Sequence, residues 1–94
     1  MTEAEDRRES DHQLVERTIE GDLTAFDLLM SRHMNQCYRI ARRSGLQPDD
    51  AADVVQDTFF NAFKAIDRFN FAYQFSTWVT RILVNRIANH RRSL

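Results

Sequence analysis

The amino-acid sequence predicts an all-α protein, a compact bundle of about four helices. Apolar residues recur at intervals of three and four along most of the chain, the spacing that places them on one face of an α-helix. Only two glycines and one proline occur among the 94 residues, too few for the many tight turns of an all-β fold. These residues, Gly21, Gly45 and Pro48, fall where the apolar spacing is interrupted, so they divide the chain into helices.

The first helix is expected over 11–20. The preceding segment, 1–10, is charged and aperiodic, which predicts a frayed N-terminus before a single domain over 11–94. Ser10 or Asp11 can accept hydrogen bonds from the free backbone amides of the first turn. The face expected to be buried is formed by Leu14, Val15 and Ile19.

The second helix is expected over 23–44, between the two glycines. Asp22 can cap its N-terminus, and arginines near its other end suit the partial negative charge of a helix C-terminus. Its face of helical spacing comprises Phe26, Leu29, Met30, His33, Cys37, Ile40 and Ala41.

The third helix is expected over 48–68. Pro48 in the first turn, followed by Asp49 and Asp50 beside the positive end of the helix dipole, is a strong start signal. Its apolar face comprises Ala52, Val55, Phe59, Ala62, Phe63 and Ile66.

A fourth helix is expected over 75–92, after a short break at 70–74. Ser76 or Thr77 is the residue expected to open it. Its apolar surface comprises Trp78, Val79, Ile82, Leu83, Ile87 and Ala88.

Charge is unevenly distributed along the chain, although the net charge is only −1. Successive blocks alternate in sign, with net −5 over 1–22, +3 over 23–46, −4 over 47–67 and +5 over 68–94. The last block contains no carboxylate side chain. Alternating blocks predict separate faces for separate partners, although ordinary solvated charge is an equally good interpretation of the first three.

Several functional classes find little support. The chain has no glycine-rich phosphate loop and no nucleophile elbow, so we expect no enzyme activity and no cofactor. A small helical enzyme would need a dry pocket lined by Asp53, Asp57 and histidines, for which such a bundle has little room. The chain lacks an apolar run of about 18 residues, which predicts no membrane span. A single cysteine cannot form an internal disulfide, which fits a cytoplasmic location.

His33 and Cys37 lie four residues apart on the second helix, a spacing that can hold a metal ion. The residue three positions beyond the cysteine is Ile40, so no third ligand follows there. Two ligands do not make a structural zinc site. We therefore expect no metal and interpret the pair as a core-facing histidine and a buried thiol.

The third helix carries an acidic side. Asp53, Gln56 and Asp57 share it, and Phe60 projects away from the expected core face. An exposed aromatic side chain among carboxylates and amides is typical of a protein-docking surface. An ordinary solvated helix face is the competing interpretation.

The C-terminal third combines aromatic and basic residues. Five aromatics occur within ten positions, at Phe69, Phe71, Tyr73, Phe75 and Trp78, and arginines flank them. Aromatic rings can stack on unpaired bases while arginines neutralise phosphates, which predicts contact with single-stranded nucleic acid. Plain packing is the alternative. We expect Phe69, Phe75 and Trp78 in the core, whereas Phe71 and Tyr73, in the loop, are expected to be less constrained by packing.

Ordered motifs in this part of the chain resemble a known family. They are Asp53-Val-Val-Gln-Asp-Thr-Phe59, Ala65-Ile-Asp-Arg-Phe69, Phe75-Ser-Thr-Trp78, Arg81-Ile82 and Asn85, preceded by Gly21-Asp-Leu-Thr-Ala-Phe26. Together they resemble the second domain (region 2) of bacterial RNA polymerase sigma factors of the extracytoplasmic-function (ECF) group, over about Asp11 to Arg92. The resemblance implies a helical domain that helps to initiate transcription at promoters.

The resemblance implies two main partners. One is core RNA polymerase, whose β′ clamp helices would be contacted by Asp53, Gln56, Asp57 and Phe60. The other is promoter DNA, and a base flipped from the non-template strand of the −10 element would be captured by Asn70, Phe71, Ala72, Tyr73 and Gln74. The last helix would read that element through Arg81, Asn85, Arg86 and Asn89. Within this set, Asn85 stands at a base-contacting position and the arginines suit phosphate.

The sequence also departs from the family pattern. Two aromatics stand in a capture loop that in the family often carries glycine and acidic or small polar residues, so the resemblance does not specify the preferred base. Arg81 and Ile82 stand where housekeeping sigma factors have a tryptophan pair, which predicts weaker strand opening and a narrow promoter set.

Further expectations follow from the resemblance. The chain holds no −35-binding region 4 domain, so it is expected to be part of a longer factor, and an anti-sigma factor is expected as a third partner. A sigma-like module that regulates polymerase without reading DNA is the alternative function.

Overall fold

The computed structural model describes residues 9–93, which form α1 (Asp11–Ile19), α2 (Leu23–Arg43), α3 (Pro48–Ala65) and α4 (Phe75–Arg92). A short 3-10 turn, Ile66–Arg68, prolongs α3. The described residues contain no strand, so the all-α prediction is confirmed, and the four predicted ranges agree closely with the helices. Most of the segment predicted to be frayed, 1–8, lies outside the described residues.

Local signals set the ends of the first two helices. Ser10 Oγ accepts a hydrogen bond from the Gln13 amide (3.1 Å), and Gln13 Oε1 accepts one from the Ser10 amide (2.8 Å), which forms a capping box. Gly21 and Gly45 follow α1 and α2 with φ angles of 106° and 101°. This left-handed conformation is open to glycine at little cost, so both helices end where the sequence predicts.

Asp22 caps α2 and carries a strongly perturbed carboxyl group. Its Oδ1 accepts hydrogen bonds from the Thr24 hydroxyl (2.6 Å) and amide (3.1 Å), and its Oδ2 accepts one from Arg17 Nη2 (2.6 Å). The Thr24 hydroxyl and then the Arg17 guanidinium lower the pKa of Asp22 from 3.8 to about 2. Because the folded-state pKa is depressed, the cap stabilises the fold above about pH 4 and loses this effect as the pH falls further.

The start of α4 differs from the prediction. Ser76 or Thr77 was expected to open the helix, but it begins at Phe75, and the N-cap residue Gln74 makes no side-chain capping bond. Phe75 is almost fully buried and begins a stripe at four-residue spacing, with Val79, Leu83 and Ile87. Core packing of this stripe therefore sets the helix start in place of a polar cap.

The core lies between the four helices and is almost entirely apolar. Phe69 and Phe75 are buried as expected, whereas Trp78 and Ile82 are only partly buried and pack at the edge of the core. Four residues assigned to apolar faces are exposed, namely Ile19, Ala52, Phe63 and Ala88. The apolar face of a helix is wider than the strip that a neighbouring helix covers, so residues at its margin stay in contact with solvent.

His33 and Cys37, the pair with metal-compatible spacing, are engaged in other contacts. Cys37 is buried, and His33 Nε2 lies 2.8 Å from Asp11 Oδ2. The thiol is buried as expected, whereas the expected core-facing histidine is only partly buried, with its ring beside Phe75 and its Nε2 directed to Asp11. Over residues 9–93, no group of three or more potential ligand side chains is placed to hold a metal ion, and no helix has the length and apolarity needed to cross a membrane.

Cys37 is expected to resist thiol reagents in the folded protein. Burial raises the pKa of the Cys37 thiol from 9.0 to about 11, and only the thiolate reacts. At pH 8 the thiolate population should be about a hundredfold below that of an unburied thiol. Reaction with Ellman's reagent should be very slow in buffer and rapid in 8 M urea. Rapid labelling of the native chain would contradict this assignment.

Candidate polymerase and nucleic-acid interfaces

An open apolar groove of about 600 Å³ runs between α2 and α3. Its walls include Met30, Met34 and Tyr38 from α2 and Ala52, Gln56 and Phe60 from α3. Phe60 is 61% exposed at the rim, where Lys64 Nζ lies 4.6 Å from the centre of its ring. An apolar trough beside helices is a suitable receptor for a partner helix.

The predicted polymerase-binding residues lie together on the outer side of α3. Asp53, Gln56 and Phe60 are exposed, as the sequence predicts, and the last two also line the groove. No ion pair within residues 9–93 involves Asp53, so its charge faces solvent. The surface therefore combines an acidic edge with an apolar trough.

Asp57 belongs to the same side of α3 but leans toward α4. Its Oδ2 accepts hydrogen bonds from Arg86 Nη2 (2.8 Å) and Nε (3.0 Å). The sequence assigned these two residues to different partners, and the fold joins them in one ion pair. Their side chains are 49% and 28% exposed, so the pair is expected to stabilise the fold by at most about 1 kcal/mol. Arg86 must leave Asp57, or share it, in order to hold a phosphate.

The predicted capture loop, 70–74, is folded by its own first residue. Asn70 Oδ1 accepts a hydrogen bond from the Ala72 amide (2.9 Å), and Asn70 O accepts one from the Tyr73 amide (3.0 Å). Phe71 and Tyr73 are 41% and 48% exposed, as the freer pair was expected to be. The loop is therefore a tight turn that exposes two aromatic side chains.

An aromatic floor supports this loop. The buried Phe69 ring meets Phe71 edge to face at 5.0 Å and Trp78 at 5.2 Å, with interplanar angles of 84° and 88°. Phe75 also lies within 6.1 Å of Phe69 and 5.7 Å of Trp78. The aromatic residues therefore divide into two groups. Phe69 and Phe75 pack in the core, whereas Phe71 and Tyr73 remain exposed and available for contact with a base.

His12 on α1 also contacts the loop, a contact that the sequence motifs did not predict. Its Nε2 lies 2.8 Å from Tyr73 O, and its ring meets Phe69 and Phe71 edge to face at 5.6 and 5.4 Å. His12 and Tyr73 are 61 positions apart in sequence. A single sequence contains no periodicity or motif that signals such a contact.

The exposed side of α4 continues from the loop. Arg81, Asn85 and Asn89 are all exposed at four-residue spacing, which forms a single polar stripe. The exposure expected for Arg81 and Asn85 is therefore present. Asn89 Oδ1 accepts a hydrogen bond from Arg92 Nη2 at the end of the helix.

The basic residues of the C-terminal third are partly engaged within the fold. Arg86 binds Asp57, and Arg91 Nη2 donates to the Ser44 carbonyl at the end of α2. Arg68 and Arg81 form neither an ion pair nor a side-chain hydrogen bond within the part of the chain that the structure describes. These two arginines are the ones most readily available to phosphates near the loop and the α4 stripe.

A family model and the curated relatives that match this chain all belong to the sigma factors. The family model for sigma-70 region 2 matches residues 29–94. The RNA polymerase sigma-H factor of Pseudomonas aeruginosa is 37% identical over 83 residues, covering 88% of this chain and 43% of that protein. The ECF RNA polymerase sigma-E factor of Haemophilus influenzae is 40% identical over 81 residues, covering 86% and 42%. The chain thus spans less than half the length of these curated relatives.

Solved structures share the fold, and two of them contain a bound molecule. One is the complex of an engineered region 2 of sigmaE with GTAAAA, which has a TM-score of 0.86 and 37% identity and covers 93% of this chain and 90% of that one. The other is CnrH in complex with the cytosolic domain of CnrY, with a TM-score of 0.80 and 34% identity over 86% and 53% of the two chains. The similarity to the sigmaE domain extends over nearly the whole bundle.

Proposed function

The chain belongs to the sigma-70 region 2 family and to its ECF group, and from this premise we propose that it docks on core RNA polymerase and recognises and helps to melt the promoter −10 element. One observation carries the proposal beyond family membership. The loop at 70–74 exposes two aromatic rings and leads into α4, which carries the polar stripe, while the apolar groove with its acidic edge lies between α2 and α3. The domain is proposed as a binding module that acts in the cytoplasm and uses no cofactor.

Docking is proposed at the groove and its acidic edge. The apolar trough would receive a helix of the β′ clamp, while Asp53 and Gln56 would meet polar or basic groups along that helix. Phe60 would lose its exposed surface in such a contact, which favours association because apolar area leaves water. Asp57 would contact the clamp helix while its carboxylate stays paired with Arg86.

DNA recognition is proposed at the loop and α4. Extruding a base costs a few kcal/mol, and stacking recovers about 1–3 kcal/mol per base. Phe71 and Tyr73 are available for such stacking, whereas Asn85 can both donate to and accept from a base edge. Arg68 and Arg81 would neutralise phosphates. The few phosphate contacts predict weak DNA binding by the chain alone, so polymerase contacts must supply the remainder.

Selection of promoter fragments tests the proposed function. Core polymerase with the bound chain would be offered forked DNA in which the unpaired non-template −10 positions are randomised. We expect enrichment of a defined −10 sequence. Retained polymerase binding without enrichment would favour the alternative, a sigma-like module that regulates polymerase without reading DNA. Failure to bind polymerase at all would contradict the proposal.

An anti-sigma factor is expected to cover the same two surfaces. Phe60, Phe71 and Tyr73 expose aromatic area that needs a partner when polymerase and DNA are absent. In a sigma–anti-sigma complex, hydrogen exchange should therefore slow in α3 and in the loop 70–74. Protection confined to residues 1–20 would contradict this prediction.

A further inference from the structure

We propose that His12 is a positioning residue that holds the loop 70–74 in the shape that captures the flipped base. The proposal rests on the base-capture function proposed above. His12 lies on α1, outside every segment to which the motifs assign DNA contact.

The contact geometry requires the histidine to act as donor. His12 Nε2 lies 2.8 Å from Tyr73 O, and a carbonyl oxygen can only accept, so the ring nitrogen carries the proton. The same ring meets Phe69 and Phe71 edge to face at 5.6 and 5.4 Å. One side chain therefore fixes both the backbone of the loop and the ring of its first aromatic residue.

His12 provides what the loop lacks. The hydrogen bonds that Asn70 accepts close the turn internally but do not fix its orientation relative to the bundle. Within residues 9–93, the bond to His12 is the one hydrogen bond from this loop to an element distant in sequence. Without it, the loop would be oriented only by the packing of Phe71 on Phe69 and by the buried residues that flank it, Phe69 and Phe75.

The first turn of α1 is itself held firmly. Asp11, the neighbour of His12, accepts hydrogen bonds from Arg32 Nη1 (2.9 Å) and lies 2.8 Å from His33 Nε2, both on α2. The His33 ring in turn lies 5.2 Å from the Phe75 ring, at the start of α4. The support for the loop is thus continuous with the packed core, which is what a positioning group requires.

Preorganisation predicts a selective loss. If His12 orients the loop, removing it should weaken binding of the captured base and spare contacts made by α4 and by phosphates. If His12 only covers Phe69, its removal should lower stability and weaken binding of every oligonucleotide alike. The two roles therefore differ in which DNA positions respond.

The test uses the whole chain with single-stranded DNA hexamers, GTAAAA and a randomised pool, followed by NMR titration. An abasic site placed at each position of the best hexamer identifies the captured base in the wild type. We expect His12→Ala to weaken binding of the intact hexamer about three- to tenfold, the effect of one hydrogen bond. It should leave binding of the hexamer that is abasic at the captured position unchanged.

Matched variants separate the donor from the ring. His12→Gln can still donate to Tyr73 O and should restore most of the affinity, whereas His12→Phe keeps a ring without a donor and should behave like His12→Ala. Glu16→Ala, an exposed change on the same helix, should have no effect. Thermal unfolding of each variant shows whether it folds.

Three outcomes would overturn the proposal. Equal losses on the intact and abasic hexamers, or no loss with His12→Ala, would reject the role of His12 while leaving base capture by the wild type in place. A wild type for which no abasic position matters would reject base capture and, with it, the role of His12.

Discussion

Asp53→Arg is expected to weaken binding to core RNA polymerase by at least about a hundredfold. The new arginine would face the basic groups proposed to contact Asp53, and two like charges in such a contact cost several kcal/mol. Asp53 is exposed, and its carboxylate forms no ion pair within residues 9–93, so the reversal should leave the fold intact. The double variant Asp53→Arg/Asp57→Arg should abolish binding. Co-purification with core polymerase measures the loss, and circular dichroism checks the helix content.

The double variant needs a control because Asp57 forms an ion pair with Arg86. Asp57→Arg places two guanidinium groups together, which disturbs the junction of α3 and α4 as well as the docking surface. Adding Arg86→Asp restores an ion pair of opposite polarity, so any remaining loss belongs to docking. Unchanged recovery of polymerase with the Asp53 variant would contradict the assignment of this surface.

Asn85→Ala is expected to relax sequence preference at one or two positions of the −10 element. Loss of a side chain that reads a base edge costs about 1–3 kcal/mol, or roughly five- to 150-fold in discrimination at that position. Asn85 is exposed on the same stripe as Arg81, one helical turn further along α4 from the loop. Transcription from a panel of −10 variants is the measurement. If every promoter falls equally, Asn85 does not read a base.

Arginine variants provide the contrast. Arg86→Ala should weaken all sequences alike and flatten the salt dependence, as loss of a phosphate contact does. Because Arg86 is bound to Asp57, its effect should be smaller than that of Arg81→Ala, which removes an arginine that binds no carboxylate within the described residues. A larger salt effect for Arg86→Ala would indicate that the ion pair opens on DNA.

Local rules predicted the helices, because their ends depend on nearby residues. Capping by Ser10 and Asp22 and the two glycine stops act within a few positions, and each is present in the fold. The start of α4 differed since burial of Phe75 replaced a polar cap, a tertiary effect that propensity does not include.

The geometry of the candidate site was predictable only where a single helix or the loop forms it. The acidic side of α3, the exposed Phe71 and Tyr73 and the stripe containing Asn85 follow from sequence spacing. The groove needs two helices, the bond from Asp57 joins α3 to α4, and His12 reaches the loop across 61 positions. Such contacts depend on how helices pack, which helical periodicity does not specify.

The order of helix packing bears on how the chain folds. Each helix packs chiefly against the one that follows it, α1 on α2, α2 on α3 and α3 on α4. Contacts between sequence neighbours require little chain entropy to close, and helical domains of this kind fold within microseconds to milliseconds. During synthesis the first three helices can associate before α4 leaves the ribosome. The groove between α2 and α3 would therefore form before the loop 70–74 is joined to a folded α4.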